Sequence, residues 1–564
     1  MLKPNHRAGL RGRCGYTLVE MLTATLLTLM MMGAVATLFE SIGGAITDSR
    51  ALLEVQDRLR GAAGRLQADL ASLTVTVQPP RRPEANEGGL EIIEGPVGPV
   101  IRPEAYALDS DTSLPDTTVG DNDDILWFTV RSSGQAFLGR SGGTGTIESD
   151  TAEVVWFVRG RTLYRRVLLV APHLLRQYDT NSDGVLDRQD AVMAGGDSFH
   201  RMFDVSARPQ TYANNSAIMT GWAPNTLGDL TKRENRFAHR LHATQDAPPG
   251  GGFPFSASRW GQLGLPTASE TSSPLWMTWP DIATLAGNAS VADVWQVDFW
   301  LRPHPWTETI PNPAPPPATL PRADPTTGIL NAYAGPAVGE DVILTDVIGF
   351  DVKVWDPNAP IVTLRDTSVN PPRVIASLVP GDPGYLGAVA NIGNTVGNIS
   401  YAVDSLGAYA DLNYLCPMGP ETSPDPNDFA SPYPRYKDTA TALGLPLPHF
   451  FGAGDRRSGL RGMEPFAGPP PGPLLRATYD TWSFHYENDG IDQFGDGRID
   501  PGTNGFDDNA IGQPGYGVVD DPSEMETSPP YPVPLRGIQV KIRVFEPGSR
   551  QVREVTVVQD FLPK

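Results

Sequence analysis

The sequence predicts an α+β protein. One long N-terminal helix, membrane-spanning in its first half and amphipathic in its second, packs on an antiparallel β-sheet head with large loop-rich insertions. Three observations predict it. Met21 to Phe39 is a run of nineteen residues without a charge. Beyond it, apolar residues recur at spacings of three and four as far as Leu73, one face of an amphipathic helix. Near the C-terminus, Ile538, Val540, Ile542 and Val544 alternate with Gln539, Lys541 and Arg543, the period-two pattern of a half-buried strand.

Ahead of the apolar run, residues 1–15 are basic, with Lys3, Arg7, Arg11 and Arg13 and no acid. Positive charge before a span keeps that end in the cytoplasm and puts the rest of the chain on the other side. At 1.5 Å per residue the run spans about 28 Å, close to the hydrocarbon thickness of a bilayer. Glu20 is a lone carboxylate at its mouth, where it calls for a partner.

The string Gly15-Tyr16-Thr17-Leu18-Val19-Glu20, continued by Met21-Leu22, resembles the type IV pilin and type II secretion pseudopilin family. That resemblance implies cleavage after Gly15 by a prepilin peptidase and N-methylation of Tyr16. It also implies that Glu20 pairs with the N-terminal amine of a neighbouring subunit, since a carboxylate and an ammonium satisfy each other where water cannot. An ordinary secretory signal, with Ala34-Val35-Ala36 as its cleavage site, is the competing reading. It gives Glu20 no role and would start the mature chain in the middle of a helix pattern.

The order expected is a leader (1–15), the helix (16–75, span 21–39), the first part of a β-rich head (76–170), a loop-rich insertion (171–340) and the second part of the head (341–564). Fifty-eight Gly and 55 Pro favour loops and short strands over helices. The net charge of −21 argues against nucleic acid or anionic lipid as a ligand and suits cation binding. Of two cysteines, Cys14 would leave with the leader and Cys416 would stay alone, which leaves room for some other cross-link, such as a metal.

Along the chain, Leu52, Val55, Leu59, Ala62, Leu66, Leu70 and Leu73 form the helix stripe, and Gly43-Gly44 is its weak point. Gln78-Pro79-Pro80 ends it. Gly89 to Ile93 and Asp124 to Arg131 read as strands. Glu153 to Val158 and Thr162 to Val170 read as a hairpin around Arg159-Gly160-Arg161. Its Gly160, Leu163 and Arg165, with Arg65-Leu66 and Asp69-Leu70 on the helix, resemble the corresponding pieces of J-type minor pseudopilins. Asp341 to Trp355 reads as a strand, Asp356 to Pro473 as loop-rich with a short helix at Ser405 to Leu415, and Arg476 to Glu487 as a strand. Leu535 to Glu546 and Val552 to Phe561 close the chain as a hairpin.

Asp179 to Asp190 fits the calcium-loop template. Asp179, Asn181 and Asp183 stand at positions one, three and five, Gly184 at the turn, the Val185 carbonyl at seven, Asp187 at nine and Asp190 at twelve. Calcium takes six to eight oxygens around a tight coil, which is why acids alternate with small residues. The loop resembles EF-hand and especially dockerin loops. A second acidic stretch, 487–526, places Asp489, Asp492, Asp496, Asp500, Asp507, Asp508, Asp520 and Asp521 among Gly and Asn, and calcium could clip it. The alternative in both places is a solvated acidic loop.

Catalytic patterns are poor. Gly139-Arg140-Ser141-Gly142-Gly143 matches the nucleophile-elbow string but lies in a Gly-rich stretch. His239 and His242 have no Glu between them and no placed third ligand. No enzyme activity is expected. The expected function is that of a minor pseudopilin-like structural subunit of a type II secretion system or type IV pilus-like machine. It would be anchored in the inner membrane with a periplasmic head and assembled near a filament tip. The implied partners are prepilin peptidase, other major and minor pseudopilins, the inner-membrane secretion platform and the lipid bilayer, with no nucleic acid. The alternative is a membrane-anchored calcium-dependent surface binding protein or adhesin.

Overall fold

The computed structural model of the chain describes residues 17–94, 124–141, 145–174, 199–212, 215–237, 267–272, 327, 337–412, 414–415, 433–450, 463–465, 475–482, 516–517, 531 and 533–561. These fall into two compact units, 17–57 with Glu546–Gln551, and the remainder. The architecture is α+β with antiparallel sheets.

Helix α1 (Leu18–Ala71) is continuous for 54 residues, about 81 Å. It runs unbroken through Gly43-Gly44. In the first unit its apolar side chains from Leu18 to Phe39 are exposed. In the second unit its last turns bury Leu59, Ala62, Leu66 and Leu70, the stripe predicted from the spacing. Just beyond the helix, Leu73 bridges to Val130.

The strands follow in order. β1 (Leu90–Glu94) and β2 (Ile125–Arg131) precede a small hairpin of β3 (Phe137–Ser141) and β4 (Gly145–Ser149). β5 (Thr151–Arg159) and β6 (Thr162–Leu169) form the predicted hairpin. β7 (Ala207–Tyr212) and β8 (Asn215–Pro224) are a second small hairpin, followed by the short helix α2 (Leu227–Thr231). Next come β9 (Val342–Leu344), β10 (Val347–Asp366), β11 (Arg373–Leu378), helix α3 (Tyr385–Ala390), β12 (Thr395–Val396) and β13 (Ile399–Ala410). Helix α4 (Tyr433–Leu443), β14 (Met463–Pro465), β15 (Leu475–Asp480), β16 (Gly537–Glu546) and β17 (Gln551–Asp560) complete the series.

One sheet has the order β14-β15-β1-β2-β5-β6-β9, and the other β12-β13-β10-β16-β17 with β11 also paired to β10. The central strands of the first sheet are covered on both faces. Trp156, Phe157 and Val154 are all fully buried, which is why β5 reads as a continuous apolar run and not as an alternation. Gly160 turns this hairpin at φ 59°, a conformation that favours glycine. β16 buries Ile538, Val540, Ile542 and Val544 as its alternation predicts.

Two expectations need correction. Ser405 to Leu415 does not begin a helix: Ile399–Ala410 is a strand, paired with β10 from Val354↔Ala410 to Asp366↔Ile399. The Asp356 to Pro473 region is accordingly not loop-rich throughout, since β10 continues to Asp366 and β11, α3, β13 and α4 follow. Asp341 to Trp355 carries the expected strand character, divided between β9 and β10 at Asp346, where φ is 58°. Within 171–340, residues 199–237 carry a hairpin and short helices docked on the first sheet. Glu153 of β5 accepts hydrogen bonds from Ser206 Oγ (2.6 Å) and the Phe237 amide (2.7 Å).

Candidate membrane and assembly site

Thr17 and Glu20 open α1 with a reciprocal pair of hydrogen bonds. The Thr17 amide donates to Glu20 Oε2 at 2.8 Å, and the Glu20 amide donates to Thr17 Oγ1 at 3.2 Å. The Thr17 hydroxyl also donates to Oε2 at 3.0 Å. This is a capping box, two otherwise orphaned backbone donors satisfied by one Thr-x-x-Glu string. Sequence reading gave Glu20 a partner on another chain and missed this one on its own, although the signal stands in the sequence.

The apolar surface beyond Glu20 is uninterrupted. Met31 is 71% exposed and Phe39 69%. The threonines within it bond back to their own helix. Thr23 donates to the Glu20 carbonyl (3.0 Å), Thr25 to Met21 (2.8 Å), Thr28 to Ala24 (2.7 Å) and Thr37 to Ala34 (2.9 Å). No threonine hydroxyl here therefore needs water, which makes the surface compatible with hydrocarbon. Among the described residues this is the one helix long and apolar enough to cross a membrane.

At the other end of α1, Asp69 is buried beneath β5 and β6. Arg165 clasps it with two hydrogen bonds and Trp156 Nε1 donates a third at 2.9 Å. All three lie on elements singled out in the sequence, but their pairing was not foreseen.

A second buried centre joins the docked 199–237 segment to the sheet. All five N–H groups of Arg236 are satisfied. Nε donates to the Leu230 carbonyl, Nη1 to Glu91 and Asp480, and Nη2 to Asp480 and the Thr231 carbonyl, at 2.6–3.1 Å. Its guanidinium lies 4.2 Å from the Trp127 ring centre, in cation–π range. Arg233 Nε adds a contact to Glu91 at 3.0 Å. Burial lifts the Asp480 carboxyl to about 6 against the pull of Arg236, with Glu91 adding to the rise.

Gly15 and Tyr16 lie outside the described residues, as does every predicted ligand in Asp179–Asp190 and 487–526. His239 and His242 lie outside them too. Among the described residues, no group of three or more His, Cys, Asp or Glu side chains is arranged to hold a metal. Ser141 ends β3 of a hairpin instead of standing at a strand-to-helix elbow, and its neighbour Arg140 is engaged by Asp204 at 2.7 Å. Comparison with family models, curated proteins and solved structures finds no match to this chain.

Proposed function

We propose that the chain is a minor pseudopilin-like structural subunit of a type II secretion system or a type IV pilus-like machine. One observation carries the reading. A single continuous helix exposes a bare apolar surface with a carboxylate at its mouth, and its last turns are locked into a β-rich head. A helix of this kind suits two environments in turn, a bilayer and the core of a filament of like helices. Its apolar half fits either, and its locked half transmits position to the head.

In this reading prepilin peptidase cuts after Gly15, Tyr16 becomes the N-methylated first residue, and Glu20 pairs with the amine of a neighbouring subunit. The N-terminus starts in the cytoplasm and the head lies in the periplasm. The partners are other major and minor pseudopilins and the inner-membrane platform. A large head favours the filament tip, because a subunit repeated along a shaft must pack on every side. Calcium in Asp179–Asp190 and in 487–526 would order loops that have no disulfide. The test is recovery of the processed protein from membranes, with N-terminal sequencing and identification of the proteins that accompany it. Tyr16 at the N-terminus together with pilin-like subunits supports the proposal. A chain starting at Thr37 would overturn it.

A further inference from the structure

The place where the two sheets of the head meet is polar. Glu94, the last residue of β1, is fully buried, and its Oε2 accepts the amide of Leu412, just past β13, at 3.1 Å. Asp124, directly before β2, is buried too, and its Oδ2 accepts the amide of Val352 on β10 at 2.7 Å. Two carboxylates of the first sheet thus grip backbone amides of the second. Lys353 on β10 supplies the positive charge facing them, and it is already engaged by Asp351 at 3.0 Å and more closely by Asp411. Lys353 thus faces Asp351, Asp411 and Glu94 together, with Asp124 close enough to Glu94 to act on its charge.

Two oxygens in this cluster, Glu94 Oε1 and Asp351 Oδ1, are buried without a hydrogen bond. An ionised carboxylate leaves such an oxygen uncompensated, whereas a neutral carboxyl costs far less to bury. Like charges crowded in a low dielectric do not all ionise. Burial, then Asp124, Asp411 and Asp351, push Glu94 well above the usual carboxylate range, against the pull of Lys353. Burial raises Asp411 to about 6 in spite of Lys353.

We propose that the Glu94 joint is a proton-operated latch between the two sheets, closed while Glu94 is neutral and loosened when it ionises. The sign follows from linkage. A carboxyl whose folded pKa is raised contributes its stabilisation fully in acid and loses it as pH rises through the folded value. The latch is therefore tightest in acid and slackens as pH rises. It does not depend on which machine the chain serves.

The test uses the full chain in detergent micelles. Wild type and Glu94→Gln are melted at several pH values between about 5 and 8, because Gln keeps the acceptor for Leu412 and cannot ionise. Glu94→Gln should melt higher at about pH 8, by on the order of 3 °C, with the gap closing toward pH 5. Asp411 and Asp480 titrate in the same window, and Asp411 shares the cluster with Glu94, so the comparison is repeated on an Asp411→Asn background, where the difference between the two proteins reports Glu94. In wild type, hydrogen exchange in the peptide containing Leu412, corrected for the intrinsic rate, should show more frequent opening as pH rises. If Glu94→Gln does not fold, the same exchange measured in Asp411→Asn decides, because a pH-dependent opening at Leu412 that survives there is not Asp411's. A gap independent of pH, a variant less stable than wild type at pH 8, or unchanged Leu412 protection overturns the proposal.

Discussion

Arg165 holds Asp69 through two parallel hydrogen bonds, Nε to Oδ2 at 2.7 Å and Nη2 to Oδ1 at 2.8 Å, with both side chains 8% exposed. This pair fixes the rotation of the last turns of α1 on β6, because a guanidinium fork meets a carboxylate in one plane. Arg165→Ala would leave Asp69 buried with Trp156 as its remaining donor. Breaking one side of such a pair costs about 3–5 kcal/mol. Arg165→Lys should rescue only part of this, since an ammonium cannot reproduce the fork. Urea unfolding of the three proteins would measure it, and an Arg165→Ala chain as stable as wild type would remove the clasp from the account.

Arg236 is the corresponding clamp for the docked 199–237 segment. Arg236→Met should strip Asp480 of its counterion and leave Glu91 with the Arg233 contact, and so release that segment from the sheet. Limited proteolysis should show new cuts within 199–237 while β16 and β17 stay intact. The loss should deepen as pH rises from about 5 to 8, because losing Arg236 removes the main pull against the burial that already raises Asp480 and leaves the Trp482 amide to oppose it. Proteolysis unchanged from wild type at both ends of that range would count against the clamp.

What the sequence made legible was local. The α1 stripe, the β5–β6 hairpin around Gly160 and the alternation in β16 each follow from residues within a few positions of one another. β13 did not, because Ser405-Leu406-Gly407-Ala408-Tyr409-Ala410 has no strong strand propensity and is recruited by pairing with β10 some fifty residues earlier. Gly407 was the available clue. Its φ of 98° and the lack of a Cβ let Trp355 lie against it, where a Cβ would come within 2.9 Å of the ring. The Arg236 centre was hidden for the same reason, since its carboxylates come from positions 91 and 480. At the candidate site, the apolar run and Glu20 were plain, while the Thr17–Glu20 cap was overlooked because Glu20 was read for its charge alone.

Calcium gives a prediction independent of the fold details. If Asp179, Asp183, Asp187 and Asp190 gather around one point, a cation must offset their repulsion. With a Kd of roughly 10⁻⁴ M, a few millimolar calcium would stabilise the protein by roughly 2 kcal/mol. The melting temperature should rise with calcium and fall with chelator, and Asp183→Ala should lose part of the shift while 487–526 retains the rest. A melt indifferent to both, with no calcium by elemental analysis, would leave two plain acidic loops.

Glu20 has two roles to separate, a cap for its own helix and a charge for a neighbour, and three substitutions separate them. Glu20→Ala removes both. Glu20→Gln keeps an acceptor for the Thr17 amide, since Gln serves the capping box as Glu does, but it cannot neutralise an ammonium. Thr17→Ala removes the hydroxyl and leaves the charge. If capping alone matters, Glu20→Gln should behave as wild type, and Thr17→Ala should fray the first turn, seen as faster amide exchange in micelles. If the charge pairs with the amine of another subunit, Glu20→Gln and Glu20→Ala should both insert and be processed normally yet fail to co-isolate with pilin-like subunits. Insertion should survive in all three, because losing the carboxylate makes the helix easier to place in lipid and Thr17→Ala leaves the apolar run unchanged. Normal co-isolation of Glu20→Gln would reduce Glu20 to the cap it makes with Thr17.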